Sequence, residues 1–345
     1  MKKKSILVVD PFEKMSKILI EELNNLGYNA IPLFKGKMKS FDYSSCSKFD
    51  KLKNIFHRII LKNNNYYMIL LENFYQKYTE DLVDKIIKEK INVDYVLVFR
   101  PHGFSTKFYK LLNKLTSNIS LYEYDGLEDI RVSALKKNLK YVKRIFLFDF
   151  NDLAKIPTSK FITNYHYNLQ DNNEQNKIDF YYLGIEGNNR IEKLQNFIYR
   201  TREFNKKIIV QVSSDQTVEA EEVQFITQSI DYKDYLNNIR DAKAIIDIKA
   251  AKHNGLSFRF FEALNLKKKI ITDNHSIKNY NFYHPDNIFI TDFETFDGLE
   301  EFMQKPYHTV HEDIIKMYSL ENWIKNIFDI DDYIAIPLPK KDIVS

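Results

Sequence analysis

Short, mostly β-branched apolar runs alternate along this chain with longer stretches whose apolar residues recur at helical spacing, the sign of strand and helix in turn. Ser5-Ile6-Leu7-Val8-Val9 reads as a buried strand ending at Asp10-Pro11. Met15, Ile18, Leu19, Leu23 and Leu26 then form a helical stripe closed by Gly27, and residues 29–33 restart a strand. Residues 36–54 are polar and irregular and read as a loop. Residues 66–71 predict a strand, 79–89 a helix, and 93–99 a strand that runs into Arg100-Pro101-His102-Gly103. A helix capped by Ser105 or Thr106 reaches Leu115. Strands follow at 119–124, ending at Asp125-Gly126, and at 144–149.

Residues 168–177 are rich in Asn, Asp and Gln with no apolar period, and read as a linker between domains. Beyond it the alternation restarts. Strands are expected at 180–184, 207–212, 244–248 and 269–272, and helices at 190–204, 232–241, from near Leu256 to about Leu266, and over 320–330 with Trp323. Paired strand-helix alternation predicts the α/β class: two Rossmann-like domains facing across a cleft, residues 1–168 and 178–319, followed by a helix and tail at 320–345.

Composition narrows the classes. Hydrophobic residues at 44% and charged residues at 28% are globular values over 345 residues, and eight Gly with eight Pro are too few for a turn-dense all-β chain. The single Cys46 forms no internal disulfide, and the apolar run after Met1-Lys2-Lys3-Lys4 is interrupted by Asp10 and Pro11, so a cytoplasmic protein is expected. The net charge of +4 is small and spread out, which calls for no nucleic acid. No window spans a membrane, although many Lys and aromatic residues permit peripheral contact with an anionic inner-membrane face. His253, His275 and His284 have no partners at metal-ligand spacing, so neither a metal nor another cofactor is expected.

The loop and helix after residues 244–248 carry the candidate chemistry. Asn254 and Ser257 suit helix capping and Gly255 a turn. The helix N-terminus offers N–H groups to an anion, with Arg259 one turn in as a forked donor. Lys249 and Gly184, the latter with Arg190 opening a helix, are further candidates for a phosphate site. In the first half, His102 and Asp125 stand at strand carboxyl ends, where either suits a general base.

Residues 254–271 resemble the donor-binding segment of GT-B glycosyltransferases: a Glu, seven residues, a second Glu, then Ala and an apolar run. Glu262, in Phe261-Glu262-Ala263-Leu264, takes the second Glu position, and Asn254 stands at the first. The longer string from Gly255 to Leu264, with Lys268-Lys269-Ile270-Ile271-Thr272 and Tyr280–Ile288 beyond it, is similar to bacterial lipopolysaccharide and capsule glycosyltransferases, as is Phe148-Asp149 with Asp152. The resemblance implies that the second domain binds a nucleotide-sugar, with Glu262 on the ribose hydroxyls. It also implies that the first domain binds a saccharide or glycolipid acceptor, that the tail crosses back to that domain, and that transfer needs no metal. Ser5–Asp10 also resembles the start of a receiver domain, but Pro11 replaces its second acidic residue and Glu72 stands where its phosphorylated Asp belongs. A periplasmic sugar-binding protein needs an export signal that this sequence does not show.

Overall fold

The computed structural model describes residues 3–10, 13–34, 41–168, 177–187, 189–213, 220–250 and 253–340, with the side chains of 13–16 excepted. The chain divides into two compact units, Met1–Glu123 with Glu128–Phe146, and Tyr124–Leu127 with Leu147–Ser345. The linker expected at 168–177 lies almost wholly at 169–176, outside the described residues.

The first half runs β1 (Ser5–Asp10), α1 (Glu13–Asn25), β2 (Asn29–Phe34), α2 (Lys48–Ile59), α3 (Asn65–Lys88), β3 (Tyr95–Phe99), α4 (Thr106–Leu115), β4 (Ile119–Glu123), α5 (Asp129–Asn138), β5 (Arg144–Leu147) and β6 (Lys160–Phe161). Its sheet has the order β2-β1-β3-β4-β5-β6, and β1 pairs in parallel with both β2 and β3. Every residue of β1 is buried, as a strand covered on both faces requires. Ser105 caps α4 by accepting from the Phe108 N–H.

Two expectations fail between β2 and β3. Residues 66–71 belong to α3, a helix of 24 residues. An unbroken apolar run has no period to separate strand from helix, and here Met68 and Ile69 stay exposed, which a central strand does not allow. Part of the stretch expected as loop at 36–54 is α2, with Ser47 as N-cap accepting from the Asp50 N–H.

The second half runs β7 (Ile178–Ile185), α6 (Arg190–Arg200), β8 (Lys206–Gln211), β9 (Val223–Ile226), α7 (Tyr232–Asp241), β10 (Ala242–Asp247), α8 (Phe258–Asn265), β11 (Lys269–Thr272), β12 (Ile288–Ile290), α9 (Leu299–Gln304), α10 (Glu312–Met317) and α11 (Leu320–Phe328). All strands pair in parallel in the order β12-β11-β10-β7-β8-β9. Alternate strand residues feed separate cores. Phe180, Tyr182, Ala244 and Ile246 join Leu194 and Phe197 of α6, whereas Tyr181 and Ile245 join Tyr235, Ile239, Phe260 and Phe261 of α7 and α8. Trp323 of α11 is fully buried and donates from Nε1 to the Thr163 carbonyl at 2.8 Å, and the Leu320 N–H donates to the His166 carbonyl at 2.8 Å. Among the described residues no helix is long and apolar enough to cross a membrane.

Candidate functional site

In the second sheet β7 and β10 are neighbours, yet the chain leaves β7 toward β8 on one side and β10 toward β11 on the other. Loops following two such strands part from each other, opening a crevice at their carboxyl ends where ligands of doubly wound sheets bind. Arg190, the first residue of α6, spans this point: its Nη1 donates to the Ile185 carbonyl at 2.7 Å and its Nη2 to the Ile248 carbonyl at 3.4 Å.

Asp247, buried at the end of β10, organises the next turn of chain. Its Oδ1 accepts from Ser257 Oγ at 2.6 Å and from Arg259 Nη1 at 3.1 Å, and its Oδ2 from Thr272 Oγ1 at 3.3 Å. Ser257 holds the N-cap position of α8, as expected, but its hydroxyl is committed to Asp247 and makes no side-chain cap, so the first turn of α8 keeps N–H groups for another acceptor. Arg259 also donates from Nη2 to the Leu183 carbonyl at the end of β7. Burial opposes the charge of Arg259, but the neighbouring Tyr235, Asp247 and Tyr182 outweigh it and push its pKa upward, so the guanidinium stays charged. The Nε atoms of Arg190 and Arg259 are both buried and meet no acceptor among the described residues.

The loop before α8 is pinned from several sides. The Asn254 N–H donates to Asp149 Oδ2 at 2.7 Å, its carbonyl accepts from Ser276 Oγ at 2.8 Å, and the Leu256 carbonyl accepts from Asn164 Nδ2 at 2.9 Å. Gly255 is required here because a Cβ would lie 2.4 Å from the Phe148 ring. Lys249 donates from Nζ to Asn254 Oδ1 at 2.6 Å, while its N–H and Lys193 Nζ share the two oxygens of Asp273 at 2.7 and 2.6 Å. Gly184 gives room to the buried Tyr182, whose hydroxyl would lie 2.2 Å from an added Cβ.

Lys249 and Asn254 are therefore bonded around Asp273, and Ser257 and Arg259 around Asp247. Glu262 makes its hydrogen bonds to α7. It is fully buried, its Oε1 accepts from the Tyr232 hydroxyl, and its Oε2 accepts from the Tyr235 hydroxyl at 2.5 Å. Burial raises its pKa, against the two tyrosine hydroxyls and Arg259, which lower it. Each carboxylate oxygen of Glu262, expected on the ribose hydroxyls, thus accepts a hydrogen bond from a tyrosine of α7.

The two candidate bases are assigned to different units. In the first unit His102 follows β3, and its Nδ1 lies 2.6 Å from Oε2 of Glu123, which ends β4 and is fully buried. A carboxylate on one ring nitrogen fixes the imidazole and leaves the other for chemistry. Asp125 belongs to the second unit with Asp149 and His253. There burial lowers the His253 pKa, partly opposed by the charges of Asp149 and Asp125. Glu123, Asp247 and Asp273 were not among the residues singled out from sequence, and Asp149 was singled out only in the Phe148-Asp149 resemblance. Their one shared signal is an acidic residue at or just past the end of an apolar run.

No family model and no curated protein matches this sequence. Solved structures do resemble it. A putative UDP-N-acetylglucosamine 2-epimerase from Listeria monocytogenes aligns over 98% of this chain and 100% of its own with a TM-score of 0.52 and 11% identity. An alpha-glucosyltransferase in complex with UDP and a 13-mer DNA aligns over 95% of this chain and 93% of its own with a TM-score of 0.53 and 11% identity. At such identities the likeness is one of fold, and the fold is a pair of Rossmann-like halves of the GT-B type.

Proposed function

We propose that this protein transfers a sugar from a nucleotide-sugar to a saccharide or lipid-linked saccharide acceptor in bacterial cell-surface polysaccharide synthesis, working at the inner face of the membrane. The observation that carries the reading is the junction of β7, β10 and α8. An uncapped helix N-terminus, two guanidinium groups with unspent buried donors and Lys249 converge where a doubly wound sheet takes its nucleotide. The donor diphosphate is assigned to the first turn of α8 with Arg190 and Lys249, and Asn254 offers its amide to a sugar hydroxyl. Gly184 and Gly255 keep the flanking backbone close.

Arg259, Ser257 and Glu262 serve this site as positioning residues: the first two bind Asp247 and hold α8 against β10, and Glu262 anchors α8 to α7. As the bond from the anomeric carbon to the diphosphate oxygen breaks, the electron pair leaves on the diphosphate. Fixed cations and N–H groups stabilise that charge without a metal or other cofactor. His102, oriented by Glu123, takes the proton from the acceptor hydroxyl as its oxygen bonds to the anomeric carbon. Asp125 is the alternative base.

A second reading comes from the end-to-end likeness to the Listeria structure: an epimerase acting on the sugar while it is still attached to the nucleotide. Incubation with a panel of nucleotide-sugars separates the two. Nucleotide release that rises with added saccharide acceptor supports transfer, a new nucleotide-sugar isomer seen by NMR supports epimerisation, and neither product from any donor removes both.

A further inference from the structure

Helix α2 is built inside out for a soluble protein. Its inward positions are polar: Asn54 donates to the Tyr43 hydroxyl at 3.0 Å, Asp50 accepts from the Tyr66 hydroxyl at 2.8 Å, and His57 stacks on Tyr66 with ring centroids 5.4 Å apart. The outward arc carries Phe49, Leu52, Ile55, Phe56 and Ile59, with Phe49 and Leu52 65% and 66% exposed. At 3.6 residues per turn these five fall on one face. Ile60 and Leu61 just past α2, and Met68 and Ile69 near the start of α3, are exposed as well, so that nine of the seventeen exposed large apolar side chains among the described residues lie within twenty-one positions. A contiguous apolar face of this kind marks an interaction surface.

Charge decides the partner. Residues 48–62 hold Lys48, Lys51, Lys53, Arg58 and Lys62 against a single acidic residue, Asp50, which faces inward to Ser47 and Tyr66. The excess in these fifteen residues equals the net charge of the whole chain, +4. Lys53 lies 4.6 Å from the Phe49 ring centroid, at the border of the apolar arc. An apolar stripe edged by Lys and Arg is the composition of helices that lie in the interface of an anionic bilayer. In a two-fold dimer the same stripe would set its cationic edge against an identical one, which repels.

We propose that α2, with the turn into α3, is a membrane-docking surface that inserts its apolar arc among the lipids of an anionic bilayer and sets its lysines against the headgroups. This deepens the proposed reading, since it rests on a lipid-linked acceptor lying at such a surface.

Flotation of the full chain with vesicles tests it. The protein is expected to float with mixed phosphatidylcholine and phosphatidylglycerol, and far less with phosphatidylcholine alone. Leu52→Ser with Phe56→Ser should lower the partition constant by more than about a hundredfold, since each buried apolar side chain is worth about tenfold or more. Lys48→Glu with Lys53→Glu should lower it at least about twentyfold, each cation near the surface being worth about fivefold. These side chains are exposed, so circular dichroism and donor titration are expected to match the wild type. A wild-type protein that stays out of the lipid layer overturns the inference. So do two variants that float as the wild type does, and so does a dimer in sedimentation that the Leu52→Ser, Phe56→Ser variant dissolves without any lipid binding. Vesicle binding without affinity for any nucleotide-sugar leaves the docking surface standing and removes the transferase reading; the reverse result removes only the docking surface.

Discussion

Replacing Glu262 tests whether this residue frames the candidate site or touches the ligand. In Glu262→Ala the hydroxyls of Tyr232 and Tyr235 lose the acceptor that the fully buried Glu262 supplies. An unsatisfied buried hydroxyl costs about 1–3 kcal/mol, so two cost about 2–6 kcal/mol, a large share of the roughly 5–15 kcal/mol that stabilises a typical domain. At about 2–4 °C per kcal/mol for a unit of this size, the melting temperature should fall by roughly 5–20 °C. Glu262→Gln keeps the shape and one acceptor oxygen and should cost less than half as much. Burial raises the pKa of Glu262 above its ordinary 4.5. The stability it contributes is therefore complete below that ordinary value and is lost as pH rises through the folded-state value, a dependence that Glu262→Gln should abolish. Differential scanning calorimetry across pH, with donor titration on the same samples, reads both. Two results refute the reasoning: Glu262→Ala melting within about 2 °C of wild type, or Glu262→Gln losing tenfold or more in donor affinity at unchanged stability, which would make Glu262 a direct ligand.

Three further outcomes follow from the geometry. Gly255→Ala places a Cβ against the Phe148 ring and should cost about 1–3 kcal/mol by chemical denaturation, with Phe148→Leu restoring part of the loss. His102→Ala should reduce turnover about a hundred- to ten-thousandfold with donor affinity nearly intact, and Glu123→Gln should reduce it less while altering the pH profile. If Asp125→Asn shows that separation and His102→Ala does not, the base is Asp125. Trp323→Phe removes the bond to the Thr163 carbonyl and should lower stability by about 1–2 kcal/mol in urea titration.

Strands covered on both faces were the most legible elements. The β-branched runs of β1, β3, β10 and β11 and the turn residues between them placed the parallel alternation, and with it the loop at 253–257. Where a run lacked period or inverted it, the reading failed. The apolar run at 66–71 fits strand and helix alike, and α2 was passed over because the positions it turns inward are Asp50, Asn54 and His57, polar residues that packing pairs with Tyr66, Tyr43 and Asn63. Helix α5 also escaped: Asp129–Asn138 has scarcely any apolar stripe. In the site, the residues at the helix start were visible as a local pattern. Their partners were not, because Asn254 meets Asp149 across 105 positions and His102 meets Glu123 across 21. The inward turn of Glu262 was hidden for the same reason, since Tyr232 and Tyr235 lie on a separate helix whose facing only the packed structure fixes.

The central claim is that the crevice between β7, β10 and α8 holds the diphosphate of a nucleotide-sugar. Isothermal titration of the wild type, Arg190→Ala and Lys249→Ala with UDP-, GDP-, ADP- and dTDP-sugars tests it most directly. The account predicts saturable binding of at least one donor by the wild type, weakened about ten- to hundredfold in each variant with the fold intact. Absence of binding to every donor, or an affinity that both substitutions leave unchanged, would contradict it.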